Sequence, residues 1–99
     1  MPCVHQVKSW PNLFQPTIDG TKTHDIRKVH DRDYKVGDVL HLREFDPNKN
    51  AYTGRSAHAE ITYITSSNNL CALFQDAMNS DYCVLSIKYL EDYQKITKK

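Results

Sequence analysis

The sequence predicts a small α+β domain, a curled sheet or small open barrel of about five strands with two short helices. Three observations carry this. Several stretches alternate apolar and polar residues with period two. Clusters of Gly, Pro, Asn and Asp punctuate them at short intervals. Only two segments show a helical pattern, one between the first two strands and one before the last.

Val4-His5-Gln6-Val7-Lys8 is a short strand in which either Val4, Gln6 and Lys8 or His5 and Val7 face the core. Ser9 is an N-cap candidate, and Pro11 sits where the first turn of a helix tolerates proline. Leu13, Phe14 and Ile18 give that helix a partial apolar face, Pro16 shortens or kinks it, and Gly20 stops it. A second strand follows over Lys22 to Val29, with Thr23, Asp25, Arg27 and Val29 on one face and Lys22, His24, Ile26 and Lys28 on the other. Val36-Gly37-Asp38 is a turn. Val39 to Phe45 alternates Leu40 and Leu42 against His41 and Arg43, a third strand. Tyr52-Thr53-Gly54-Arg55 either closes the Asp46–Asn50 turn or opens the next strand. That strand covers Ala57 to Ile64, with Ile61 and Tyr63 in step.

Leu70, Leu73, Phe74, Ala77 and Met78 recur at i, i+3, i+4, i+7 and i+8, the clearest helical stripe in the chain and an expected core face. Tyr82 to Tyr89 is nearly continuously apolar, as expected of a strand buried on both faces. Residues 1–90 read as one domain, and 91–99 as a charged tail expected to fray.

Composition narrows the function. The 99 residues are 39% hydrophobic and 25% charged, with a net charge of +1, so no global field draws the chain to nucleic acid or membrane. The charge is uneven. Residues 1–55 hold nine Lys/Arg against seven Asp/Glu, and residues 56–99 four against five, which assigns any anion-binding surface to the first half. The three cysteines form no C-x-x-C pair and read as free, buried thiols in a reducing compartment. No signal-peptide or membrane-spanning run is present, so the cytoplasm is the expected location. The histidines and cysteines do not fall at zinc-ligand spacing. Neither a metal nor a cofactor is expected.

The richest stretch chemically is Gly20 to Arg27. Lys22, Arg27, Lys28, Arg32 and Arg55 have the chemistry to converge on phosphate, arginine as a planar fork and lysine as a mobile point charge. Equally, Asp25, Asp31 and Asp33 are interleaved with them, as on a solvated, self-neutralised face. Asp25 and Arg27, two apart on one strand face, form an expected ion pair, which leaves Lys22 the freer to meet a ligand. Trp10 is a base-stacking candidate or a packing residue, and Tyr34 and Tyr52 share that ambiguity. Lys22 with Asp25 is the candidate acid/base pair if the chain is an enzyme.

Lys8-Ser9-Trp10-Pro11, the string formed by Gly20, Lys22, Asp25 and Arg27, and Val36-Gly37-Asp38 together resemble the ASCH domain of the PUA-like superfamily. Its hallmark is G-x-K-x-x-E-x-R. The nearer likeness is to a small bacterial and phage branch of unknown function, through Asp31–Asp38, Leu42–Pro47 and Tyr52–Arg55. It covers roughly residues 4–90.

The resemblance implies a mixed β-barrel of five to six strands with a cleft between the first helix and the hallmark string. It also implies RNA or a nucleotide as the ligand, held by Lys8, Trp10, Lys22, Thr23, Asp25, Arg27, Lys28, Arg32 and Arg55. Some relatives hydrolyse an acetylated cytidine or cleave RNA, so the alternative is an enzyme centred on Lys22. A protein-interaction module is the second alternative. Asp25 stands where the family has glutamate and the deacetylating relatives have threonine, which speaks against deacetylation.

Overall fold

The computed structural model describes residues 2–74 and 76–91. Residue 75 and most of the expected tail, 92–99, lie outside them. Among the described residues five strands form one mixed sheet: β1 (Val4–Ser9), β2 (His24–Lys28), β3 (Val39–Asp46), β4 (Ala51–Ser66) and β5 (Tyr82–Tyr89), with one α-helix, α1 (Pro11–Asp19). The order across the sheet is β1-β3-β4-β5-β2. β1 runs parallel to β3, from Val4 opposite Val39 to Ser9 opposite Glu44. Every other pairing is antiparallel.

β1 and β2 are the two edges, and the sheet curls until they face each other. Two arginines span the seam. Arg27 of β2 donates to the Lys8 carbonyl at 2.9 Å and Arg32, just beyond β2, donates to the Gln6 carbonyl at 2.8 Å. The result is a half-barrel whose open edge is stitched by side chains instead of a strand ladder. Covering an edge in this way removes a template for unwanted strand pairing.

Period two fills the concave side with Val7, Leu40, Leu42, Ala57, Ala59, Ile61, Cys83, Leu85 and Ile87. The β1 register is thereby settled in favour of His5 and Val7. Phe14, 1% exposed, enters the same core from α1. Trp10, not Ser9, occupies the N-cap position and makes no side-chain capping bond, while Ser9 is buried at the end of β1. Pro11 lies in the first turn as expected. Gly20 adopts φ 85°, a left-handed conformation that glycine reaches without a Cβ penalty.

β4 is longer than the sequence suggests because Tyr52–Arg55 opens it. At Thr62 an extra residue intervenes: Ile61 pairs with Ile87, but Tyr63 with Ser86. This bulge reverses the alternation, so Tyr63 turns outward and Ile64 packs on the core. Ile61 and Tyr63 are therefore not in step. β5 buries Cys83, Leu85 and Ile87 on one face only, with Lys88 exposed and Val84 and Ser86 half-buried.

Among the described residues the expected second α-helix is not formed. Within residues 70–78 the described structure is a single 3-10 turn at Ala72–Phe74, and Leu73 and Phe74 are 83% and 60% exposed. A helix this short is marginal in water unless its apolar face docks, and Phe14 already fills the core beneath α1. The segment just before it is held in a turn. The Asn69 side chain accepts from the Ser66 amide at 2.7 Å and donates to the Ile64 carbonyl at 2.9 Å, closing a turn. Among the described residues no helix is long and apolar enough to cross a membrane. Cys83 is buried, but Cys3 and Cys71 are exposed, contrary to the buried thiols expected.

Candidate functional site

The end of α1 sets the site's geometry. The Gly20 amide donates to the Thr17 carbonyl at 3.2 Å, and the Thr21 and Lys22 amides both donate to the Pro16 carbonyl at 3.0 Å. This closed C-terminal turn delivers Lys22 to the mouth of β2. Its ammonium donates to the His24 carbonyl and lies 3.3 Å from Asp25 Oδ1. Asp25 is 7% exposed and meets Arg27 Nε with its other oxygen at 2.6 Å. Asp25 thus sits between two cations, and Arg27 connects it to the edge of β1. Lys22 is less free than its spacing suggests: its side chain is 15% exposed and engaged with both partners.

Over this charged floor lies a cleft of about 440 Å³. Trp10, Leu13 and Ile26 make an apolar wall, and Lys8, Lys22, Asp25 and Arg27 the polar side. Trp10 and Ile26 are 52% and 60% exposed, so apolar surface is presented to a ligand instead of being packed away. Period two explains Ile26: its neighbours Asp25 and Arg27 face the interior.

Five residues the sequence singled out therefore meet in one place: Lys8, Trp10, Lys22, Asp25 and Arg27. Arg32 lines the adjoining groove. Thr23 and Lys28 are exposed and line neither. Arg55 is elsewhere, clamped on Glu44 with Nε at 2.9 Å from Oε1 and Nη2 at 3.1 Å from Oε2, and donating to Gln15 Oε1 at 3.0 Å.

The reason lies in β4. Arg43 pairs with Ser56 but Phe45 with Tyr52, so Thr53, Gly54 and Arg55 bulge opposite the single residue Glu44. Gly54 at φ 98° permits the bulge. Thr53 Oγ1 adds a third bond to the carboxylate at 2.7 Å. The Arg55 hydrogen bonds, with help from Thr53 and against burial, hold the Glu44 carboxyl below its ordinary pKa.

Arg43, which the spacing did not single out, lines the adjoining groove, and His24, from the Gly20–Arg27 stretch, lines the cleft. Arg43 stands opposite Lys8 in the parallel pair, with its guanidinium 3.9 Å from the Tyr52 ring centroid. Lys8 Nζ lies 4.2 Å from the Phe45 centroid. Only the β1–β3 pairing, which local sequence does not disclose, brings these groups together.

Two polar features are structural. Asp38 accepts from the Cys3 and Lys35 amides and meets His5 Nε2 at 2.8 Å. Burial alone would raise its pKa, but those partners together hold it low. His41 and His58 stack at 4.3 Å with 6° between their planes. Burial lowers both pKa values, with Arg43 adding to the effect on His41 and His41 to that on His58. Among the described residues no group of three or more His, Cys, Asp or Glu is placed to hold a metal ion.

The fold and site define a small half-barrel domain with a half-apolar, half-charged cleft at its seam. The family model described as "Domain of unknown function (DUF3850)" matches residues 4–87, and the chain belongs to that family. Comparison with the curated proteins finds no match.

Proposed function

We propose that this chain is a PUA-like, ASCH-type RNA-binding domain that takes an unpaired base in the cleft between α1 and β2. One observation carries the reading: an exposed apolar wall of Trp10, Leu13 and Ile26 faces Lys22, Asp25 and Arg27 across about 440 Å³. A base has an apolar face and a polar edge, and it needs both surfaces at once. Stacking on an aromatic side chain contributes about 1–3 kcal/mol per base, and the floor offers both donors and a carboxylate acceptor to the edge.

The test is the affinity of a single-stranded RNA decamer, followed against salt. Trp10→Ala should weaken binding by roughly five- to 150-fold. Contacts to about four phosphates should give a salt slope near −3. Affinity indifferent to both Trp10→Ala and salt sinks the reading. Turnover of RNA or a modified nucleoside that disappears in Lys22→Ala would replace it with the enzymatic alternative.

A protein-interaction module has one observation in its favour, the exposure of Leu73 and Phe74. Neither lines the cleft. Two side chains fall well short of the roughly 800 Å² that a stable interface buries per partner, so this reading stands second.

A further inference from the structure

Lys8 and Arg27 belong to two cavities. On one side of them is the cleft under Trp10. On the other, a groove of about 580 Å³ runs along the open edge of β1. Arg32 and Arg43 join Lys8 and Arg27 in lining it, against Asp31 alone, and Tyr34 and Tyr52 supply aromatic surface. Lys8 and Arg43 are neighbours in the β1–β3 ladder, and the curl of the sheet brings Arg27 and Arg32, from β2 and the segment after it, up to them.

We infer that this groove carries the sugar-phosphate backbone of a single-stranded nucleic acid beyond the base held in the cleft. Arg32, Arg27, Lys8 and Arg43 take phosphates of one strand, and Tyr52, the ring on which Arg43 lies, takes a second base. The inference rests on the cleft reading for the first base, and names its ligand as a chain instead of a free nucleotide.

Three features support it. Closing the seam uses two of Arg27's nitrogens and one of Arg32's, and a guanidinium has further N–H donors for phosphate. Tyr52 is 43% exposed although Arg43 already stacks on it at 3.9 Å, the cation-and-ring arrangement that single-strand binders present to bases. Tyr34 also lines the groove beside Arg27 and Arg32, so the same cations stand next to a second aromatic side chain.

The experiment compares uridine 5′-monophosphate with a single-stranded oligouridylate decamer on the full chain. Trp10→Ala should weaken both. Arg43→Gln should weaken the decamer by about eightfold at about 50 mM salt and flatten its salt slope by about 0.7, with no change for the mononucleotide. Arg43→Lys, which keeps the charge, should restore the slope, and a thermal melt of each variant confirms folding.

If decamer affinity and slope ignore Arg43→Gln and Arg32→Gln while Trp10→Ala abolishes binding, the groove assignment falls and the cleft reading stands. If the groove variants abolish binding and Trp10→Ala has no effect, the reverse holds. Equal binding of duplex RNA or heparin with the same dependence on Arg43 overturns the single-strand assignment. A decamer that does not bind at low salt overturns both.

Discussion

Arg27 of β2 donates to the main-chain carbonyl of Lys8 on β1 at 2.9 Å, and this bond joins the two edges of the sheet. The same guanidinium holds Asp25 through Nε. One side chain therefore ties a buried carboxylate to a strand edge, and the seam and the cleft floor are one structure.

Arg27→Ala should cost about 2 kcal/mol. Removing one partner of a fully buried pair costs about 3–5 kcal/mol, but Arg27's side chain is 21% exposed and solvent screens the loss. The melting temperature should fall by about 10 °C. Much of the cost is that Asp25 loses the closer of its two cations and keeps Lys22 alone, so Arg27→Ala with Asp25→Ala should be more stable than the sum of the singles. Strictly additive losses in urea unfolding would refute the shared role.

Glu44 makes an acid-side prediction. Its pKa is depressed by the Arg55 clamp, and that of Asp38 by the Cys3 and Lys35 amides and His5 working against burial. In the unfolded chain both carboxylates take up protons near their ordinary values of about 4, before the folded chain does. Stability is thus fully present above that range and is lost as pH falls through it towards the folded values. Glu44→Gln should be less stable than the parent at pH 7 and should narrow the gap below about pH 4. Parallel stability curves down to pH 2 would contradict this.

The stacked histidines give a second, milder window. Both are held below their ordinary pKa by burial, so the unfolded chain protonates first, near about pH 6.5. Stability is fully present above that value and declines below it, because burial disfavours the charged ring in the folded chain. His41→Phe should flatten the stability slope between about pH 7 and 5 and leave the acid-side loss in place. An unchanged slope would show that neither ring is held neutral.

These effects differ in how far the residues announced them. Leu40 and Leu42, or Leu85 and Ile87, alternate in a way that permits one buried face, and Pro11 with Gly20 bounds the helix. Trp10, Lys22 and Asp25 also meet through short spacings, because α1 closes directly onto β2, whereas Lys8 meets Arg27 only across the seam. Contacts between distant strands left no such trace. Arg43 reaches Lys8 through a parallel pairing of strands 35 positions apart, and Arg55 is diverted to Glu44 by a three-residue bulge. The stripe from Leu70 to Met78 shows the converse error. Periodicity reports which residues would share a helical face, and says nothing of whether a groove exists to bury it.

That misread stripe is directly testable. With Leu73 and Phe74 exposed, Leu73→Ser and Phe74→Ser should each change stability by less than about 0.5 kcal/mol. Leu85→Ala, at a fully buried position in β5, should cost about 2–5 kcal/mol. Losses of core size at Leu73 or Phe74 in urea unfolding would mean that the segment packs as a helix after all.

The chain's single tryptophan makes the cleft observable without a label. Trp10 is 52% exposed and forms part of the apolar wall beside Leu13 and Ile26, so its emission should be that of a partly hydrated indole. A base stacked on the ring should quench it, with saturation at the same concentration that binding reaches. Ile26→Asp should weaken that quenching without destabilising the fold, because Ile26 is 60% exposed on the outer face of β2. If the decamer binds while Trp10 emission stays constant, the base does not enter this cleft, whatever the phosphates do at the seam.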